Sequence, residues 1–281
     1  GVFIAWVDDR NQDETGGDIY YQHVDSDGNL LWGDADGGIP LCTAEDDQEE
    51  IQITESSEGS AILVWGEVRH RDEDFEPDIT GMKITGEDEM LKLWEPEQGV
   101  PIAIVERNLE NPMLCSDGGG GAFIVWEEER GRDENEIDIR AQRIDTDGQR
   151  VWGDEGIIVS NNLTINNHRY KVINPFGNDG CIIGWDVNHS GNTAINTQIF
   201  NPEGGLLFEE NGIPITQGIA DIGYKPKLHS RGNGEFVLVW EDWRFGNQHP
   251  VPFIQFCRNA GDDVETQLAP MGMPVVSGDV G

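Results

Sequence analysis

A short apolar run ending in tryptophan recurs along the whole chain: GVFIAW (1–6), SAILVW (60–65), GAFIVW (121–126), GCIIGW (180–185) and EFVLVW (235–240). The Trp-to-Trp steps are 59, 61, 59 and 55 residues. Apolar residues at nearly every position of so short a run predict a strand covered on both faces. After each run comes an alternating segment, such as DIYYQHV (18–24) or DIRAQRI (138–144), whose period of two predicts a second strand. A tight turn follows, DSDG at 25–28 or DTDG at 145–148, read as a hairpin turn rather than a calcium loop because the bidentate Glu of an EF-hand is missing. The fourth segment then carries one large residue: Trp32, Trp94, Trp152, Phe208 and, in the last copy, Leu268. In copies two to five a further segment and a Gly-rich turn precede the Trp run, as in NPMLCSDGGGG (111–121) and KPKLHSRGNG (225–234). No capped segment has a period of 3.6, so helix content should be close to nil.

Four short antiparallel strands repeated at a fixed interval are the sequence signature of a β-propeller. The chain therefore reads as an all-β, five-bladed β-propeller of four-stranded antiparallel blades. It forms a single domain over 1–281, with repeat units at approximately 1–50, 51–110, 111–170, 171–224 and 225–281. Gly1 already opens the Trp strand, so blade one lacks its innermost strand within this chain. An open edge invites pairing: either the blade stays three-stranded, or the polypeptide continues past Gly281, or another chain supplies the strand. Continuation is the favoured expectation.

The succession W-x-[DE]-x-R, DI-x-x-Q, D-x-DG-x-x-x-WG and GI-P resembles the tandem propeller-type repeats of large secreted or surface proteins of environmental bacteria, many with a C-terminal secretion-sorting domain. The resemblance covers all five units and is clearest in the first and third. Unit four departs from it with WDVNH (185–189), and unit two has Met82 in place of Gln. It implies the fold and an address outside the cytoplasm, secreted or on the cell surface, and implies no activity.

Charge then narrows the partners. Asp and Glu number 54 against 18 Lys and Arg, a formal net charge of −36. Such a chain is repelled by nucleic-acid phosphates and anionic lipid. No apolar run approaches the about 20 residues of a membrane-spanning helix. Residues 1–160 hold 41 carboxylates and 11 basic residues, whereas 161–281 hold 13 and seven. The excess sits in the loops 11–18, 71–78 and 132–138 and in the connector 45–50, all expected on one rim. Clustered hard oxygen donors suit Ca²⁺, with Asp13, Glu14, Asp18, Asp72, Asp74, Asp78, Asp133, Glu134 and Asp138 as candidate ligands; a solvated acidic face is the competing reading.

The most regular polar feature is a ridge: Trp6, Asp8, Arg10; Trp65, Glu67, Arg69; Trp126, Glu128, Arg130; and Trp240, Asp242, Arg244. Residues at i, i+2 and i+4 of a strand share a face, so the Arg can pair with its carboxylate and stack on the indole. Recurrence once per blade assigns the set to blade packing, because a catalytic site would occur once. Cys42, Cys115, Cys181 and Cys257, spaced by 73, 66 and 76 residues, have no zinc or haem spacing. Their apolar surroundings read as buried thiols, with disulfides open to them in an oxidising compartment.

No sialidase Asp-box, nucleophile elbow or His metal motif occurs, and SDGGGG at 116–121 reads as a turn. The innermost segments show no obvious carboxylate set. The expectation is a non-catalytic, extracellular or cell-surface binding or adhesion module that recognises a glycan or protein on its acidic rim, with Ca²⁺ as the one candidate cofactor. The alternatives are a structural subunit that self-associates by donating a strand to the open blade, and a glycan-active hydrolase.

Overall fold

The structure is a computed structural model and describes residues 1–33, 37–45, 47–57, 59–68, 79–86, 91–129, 137–161, 171–177, 180–189, 192–216, 224–244, 249–261, 263–268 and 272–275. Every regular element among them is a β-strand. The strands form five antiparallel sheets. The first holds β1 (Val2–Asp8), β2 (Asp18–Val24) and β3 (Ile39–Cys42) in that order. The second holds β4 (Asp47–Glu55), β5 (Ser60–Val68) and β6 (Ile79–Thr85), with β7 (Leu91–Lys92) and β8 (Val100–Pro101) both on β6. β9 (Leu109–Ser116), β10 (Ala122–Glu129), β11 (Ile137–Ile144) and β12 (Ile157–Ser160) make the third, and β13 (Lys171–Phe176), β14 (Gly180–His189), β15 (Asn192–Phe200) and β16 (Ile213–Pro214) the fourth. The fifth holds β17 (Tyr224–Gly232), β18 (Glu235–Asp242) and β19 (Val251–Asn259), with β20 (Val264–Thr266) and β21 (Met273–Pro274) both on β19.

The chain divides into two compact units, Gly1–Trp126 with Gln142–Gly156, and Glu127–Ala141 with Ile157–Gly281. In the first, Trp65, Ile62, Trp94, Trp126 and Trp32 join one apolar core. In the second, Phe236, Leu238, Trp240, Phe253 and Ile182 do the same. The Trp strands of sheets two to four are buried along most of their length, that of the fifth alternates buried and half-buried residues, and β1 lies at the edge of its three-stranded sheet.

The fourth segment of each repeat is not the continuous strand that its sequence predicts. It touches the strand before it twice. The first contact follows the turn directly, as the bridges Val24–Leu30, Ile144–Arg150 and Phe200–Leu206 or as β7 and β20. The second is β3, β8, β12, β16 or β21. Between the two contacts the backbone turns at a glycine of positive φ, as at Gly38 (φ 62°) and Gly272 (φ 73°), where an L side chain would be strained.

Two repeat motifs acquire a physical reason from this arrangement. The Gln of DI-x-x-Q clamps the large residue of the fourth segment by its backbone. Gln22 Oε1 accepts from the Trp32 N–H at 2.8 Å while its Nε2 donates to the Trp32 carbonyl. Gln198 binds the Phe208 N–H and C=O in the same way, at 3.0 and 3.1 Å. Gln142 takes the Trp152 N–H and Gln255 the Leu268 N–H. The Asp that opens the D-x-DG turn caps its own hairpin: Asp25 accepts from the N–H groups of Asp27 and Asn29, and Asp145 from those of Asp147 and Gln149. These are hairpin turns, as their sequence predicts.

Candidate functional site

In the ridge, Trp6 Nε1 donates to Asp8 Oδ2 at 2.9 Å, and Arg10 grips the same carboxylate through Nε at 2.7 Å and Nη2 at 2.6 Å. Trp240, Asp242 and Arg244 reproduce the set at 3.0, 2.8 and 2.6 Å. Each guanidinium lies 4.0 Å from the centre of a neighbouring ring on the next strand, Tyr20 or Phe253, rather than over the indole of its own ridge. That placement follows from register, because Trp6 faces Tyr20 and Trp240 faces Phe253 across the sheet. Trp65 donates to Glu67 at 3.3 Å, and Glu128 pairs at 3.0 Å with Arg140 of β11, both side chains buried. Arg69 and Arg130 lie outside the described residues. Arginine pulls the Asp8 carboxyl well below the usual carboxylate range, chiefly through the hydrogen bonds from Arg10.

The four candidate calcium ligands among the described residues differ in burial. Asp13 and Glu14 are exposed in the turn that follows Arg10, while Asp18 is buried at the start of β2 and accepts from Asn11 Nδ2 at 3.2 Å. Asp138 is buried in β11. Asp72, Asp74, Asp78, Asp133 and Glu134 lie outside the described residues. Among the described residues no three His, Cys, Asp or Glu side chains are gathered as metal ligands. The SDGGGG turn is built as one: Asp117 accepts from the N–H groups of Gly119 and Gly121, both at 2.8 Å, and pairs with Arg143 at 2.9 Å. All four cysteines are buried.

An unrepeated constellation stands at the end of β10. Glu127 and Glu129 alternate with Glu128 and so share the face opposite Trp126. Two residues of strand separate their Cα atoms by about 6.5–7 Å. Lys171, the first residue of β13, donates from Nζ to Glu127 Oε1 at 2.7 Å, with the lysine side chain 2 % and the glutamate 8 % exposed. Glu129 is half-buried. The counterparts of Glu127 and Glu129, counted from each Trp, are Val7 and Asp9, Gly66 and Val68, Asp186 and Asn188, and Glu241 and Trp243. Only the third repeat has carboxylates at both positions. In the fifth sheet Lys225 pairs with Glu241 at 3.3 Å, but there both are exposed. The EEE run at 127–129 was the readable signal for this pair; its lysine is 44 residues away in another repeat, where no spacing rule would look.

No protein-family model and no curated protein sequence matches the chain. Among solved structures it is similar to the polysaccharide lyase Uly1, at 9 % identity over 95 % of this chain and 63 % of that one, with a TM-score of 0.52. It is similar to a protein of unknown function from Dyadobacter fermentans, at 9 % identity over 78 % and 67 %, with a TM-score of 0.51. A Hadza microbial sialidase, Hz136, aligns at 10 % identity over 89 % and 52 %, with a TM-score of 0.48. The chain thus spans about half to two-thirds of the length of these structures. At such identities the likeness is one of fold, and the fold is an all-β, propeller-like one. The expectation of a non-catalytic binding or adhesion module is corrected by these neighbours, for the named activity among those with a TM-score above 0.5 is that of a polysaccharide lyase, and the glycan-active alternative has the better support.

Proposed function

We propose that the chain is the five-bladed propeller of a secreted glycan-active enzyme, a hydrolase of uncharged glycans. The observation that carries this reading is the same-face pair Glu127 and Glu129, with Lys171 on the first of them. Glycoside hydrolysis needs two carboxyl groups, about 5–5.5 Å apart for retention or about 6.5–9.5 Å apart for inversion. Neighbours on one strand face can bring their carboxyl groups to a separation of this order. One carboxyl of the pair activates water and the other protonates the leaving oxygen, with Glu127 held in place by the Lys171 ammonium. A glycan-active role is also supported by the fold shared with a polysaccharide lyase. The net charge of −36 separates the substrate classes, because a chain so acidic repels sulfated or uronic polymers and leaves neutral ones free to approach.

The test is a panel of neutral and anionic polysaccharides, followed by reducing-end release for hydrolysis and by ultraviolet absorbance for the unsaturated ends that a lyase makes. Reducing ends from a neutral glycan, lost by about 10²-fold or more in both Glu127→Gln and Glu129→Gln with the fold intact by circular dichroism, are expected. Unsaturated products, or activity that survives both substitutions, would overturn the assignment.

A further inference from the structure

Eight of the nine tryptophans belong to the repeat. Trp6, Trp65, Trp126, Trp185 and Trp240 end the apolar runs, and Trp32, Trp94 and Trp152 stand in the fourth segments. Trp243 is the ninth, and no other repeat has an aromatic residue at its place: the counterparts, counted from each Trp, are Asp9, Val68, Glu129 and Asn188. It is also the most exposed of the nine, at 36 %. Packing within the repeat thus accounts for the others and leaves this indole unassigned. Its exposure belongs to the end of the strand rather than to the flank of the sheet. Trp243 follows the last residue of β18, and Glu129 at the same place is half-buried although Lys171 of the fourth sheet packs beside its strand.

The backbone on either side of Trp243 is pinned. Asp242 is buried and accepts from Trp240 Nε1 at 3.0 Å, from the Arg244 N–H at 3.0 Å and from Arg244 Nε at 2.8 Å. Trp240, Asp242 and Arg244 are joined in this way on one face, so Trp243 faces the other way, towards the side of Glu241. Polar groups flank it there. Glu241 pairs with Lys225, and Tyr224 stands opposite Glu241 across the sheet. Lys225 has a φ of 52° and sits where the register of β17 shifts against β18, between Tyr224 and Lys227, and such a bulge re-aims a side chain.

We infer that Trp243, Glu241 and Lys225 form a sugar-binding subsite that takes no part in bond cleavage, with a neutral pyranose stacked on the indole. The inference rests on the glycan-active reading for the class of its ligand. A pyranose offers a face of C–H groups, which suits the negative face of an aromatic ring. The carboxylate and ammonium beside the ring supply an acceptor and donors for its hydroxyls, at little cost because an exposed ion pair is weak. Aromatic surface with a few polar groups that fix orientation is the usual make-up of a small-ligand site. The pinned backbone presents the indole already ordered, which favours binding. Glu241 and Lys225 cancel each other's charge, and the chain's net charge of −36 repels anionic polymers, so the sugar is a neutral one.

The test uses the full chain and four soluble neutral polysaccharides, a β-glucan, an arabinoxylan, a galactan and a galactomannan, in affinity gel electrophoresis, which reads binding without catalysis. At least one of the polymers should retard the parent. Trp243→Ala should weaken that binding by about tenfold or more at an unchanged melting temperature, and Trp243→Tyr should keep most of it. An oligosaccharide of the retarding polymer should shift the tryptophan emission of the parent and leave that of Trp243→Tyr unchanged. Retardation by none of the four, equal retardation of the parent and Trp243→Ala, or an unshifted emission in the parent would overturn the inference. The subsite and the hydrolase fail separately. Reducing ends released with a KM that Trp243→Ala leaves unchanged would keep the hydrolase and remove the subsite, whereas retardation lost in Trp243→Ala, with no reducing ends from any polymer, would keep the subsite and remove the hydrolase.

Discussion

Lys171 Nζ meets Glu127 Oε1 at 2.7 Å across two sheets of the second unit, with both side chains withdrawn from water. A buried ion pair gains little over an apolar pair of the same shape, but removing one partner strands a charge. Lys171→Met should therefore destabilise by about 3–5 kcal/mol. The double variant Lys171→Met with Glu127→Leu should recover most of that loss. Urea unfolding of the three proteins measures it. A single variant as stable as the parent would mean that the pair is solvated, and would also remove the physical basis for Glu127 as a held carboxylate.

The repeated parts of this fold were legible because each is a local rule stated more than once. The Trp strand recurs in all five repeats and the D-x-DG hairpin in the first and third, and the three-stranded first sheet follows from the same periodicity. The broken fourth segment was less so: in KLWEPEQGVP (92–101) apolar residues suggest one strand, but Pro96 has no N–H to donate and Gly99 turns with a φ of 111°. The Gln clamp was visible as a motif without a reason, since its partner is a backbone group ten residues on. The site at Glu127 was hidden for the opposite cause. It is an exception within the repeat, completed by Lys171 from the next repeat, and searching for what recurs passes over it.

The clamp itself can be tested at Gln198, which is fully buried and holds both backbone groups of Phe208. Gln198→Leu fills similar space but leaves a buried N–H and C=O without their partner, at a cost of about 1–3 kcal/mol. Met82 already stands at the corresponding place in the second sheet. Met82→Leu, which removes no hydrogen bond, should cost less than about 1.5 kcal/mol. Thermal or urea denaturation of the two variants compares them; equal losses would show the clamp to be packing alone.

Gly272 and Gly28 separate conformational strain from steric overlap. Both have positive φ, 73° and 86°. A Cβ on Gly272 would come within 2.5 Å of Trp240 Cη2 and 2.8 Å of the Ile254 carbonyl, whereas one on Gly28 meets nothing within 4 Å. Gly28→Ala should then lose only the left-handed penalty of about 1–2 kcal/mol. Gly272→Ala adds the displacement of a buried indole and should lose about 1–3 kcal/mol more. Tryptophan fluorescence during unfolding reports both, and indistinguishable losses would mean that the fourth segment shifts freely away from the indole.

Asp8 makes part of the stability depend on pH, in a direction that its partners fix. The hydrogen bonds from Arg10 lower its carboxyl in the folded chain, burial opposes them, and the Trp6 indole assists. In the unfolded chain the same group titrates near its ordinary value of about 3.9. Because the folded state binds the proton less readily, its contribution is fully present above about pH 5 and declines as the pH falls below about 4, towards the folded-state value. The melting temperature of the parent should exceed that of Asp8→Asn by a constant amount between about pH 5 and pH 7, and the gap should narrow on acidification below about pH 4. Arg10 is 40 % exposed, so added salt should shrink the gap as well. A gap that widens in acid would contradict the pairing, because only a group that is protonated more readily in the folded chain gains stability in that direction.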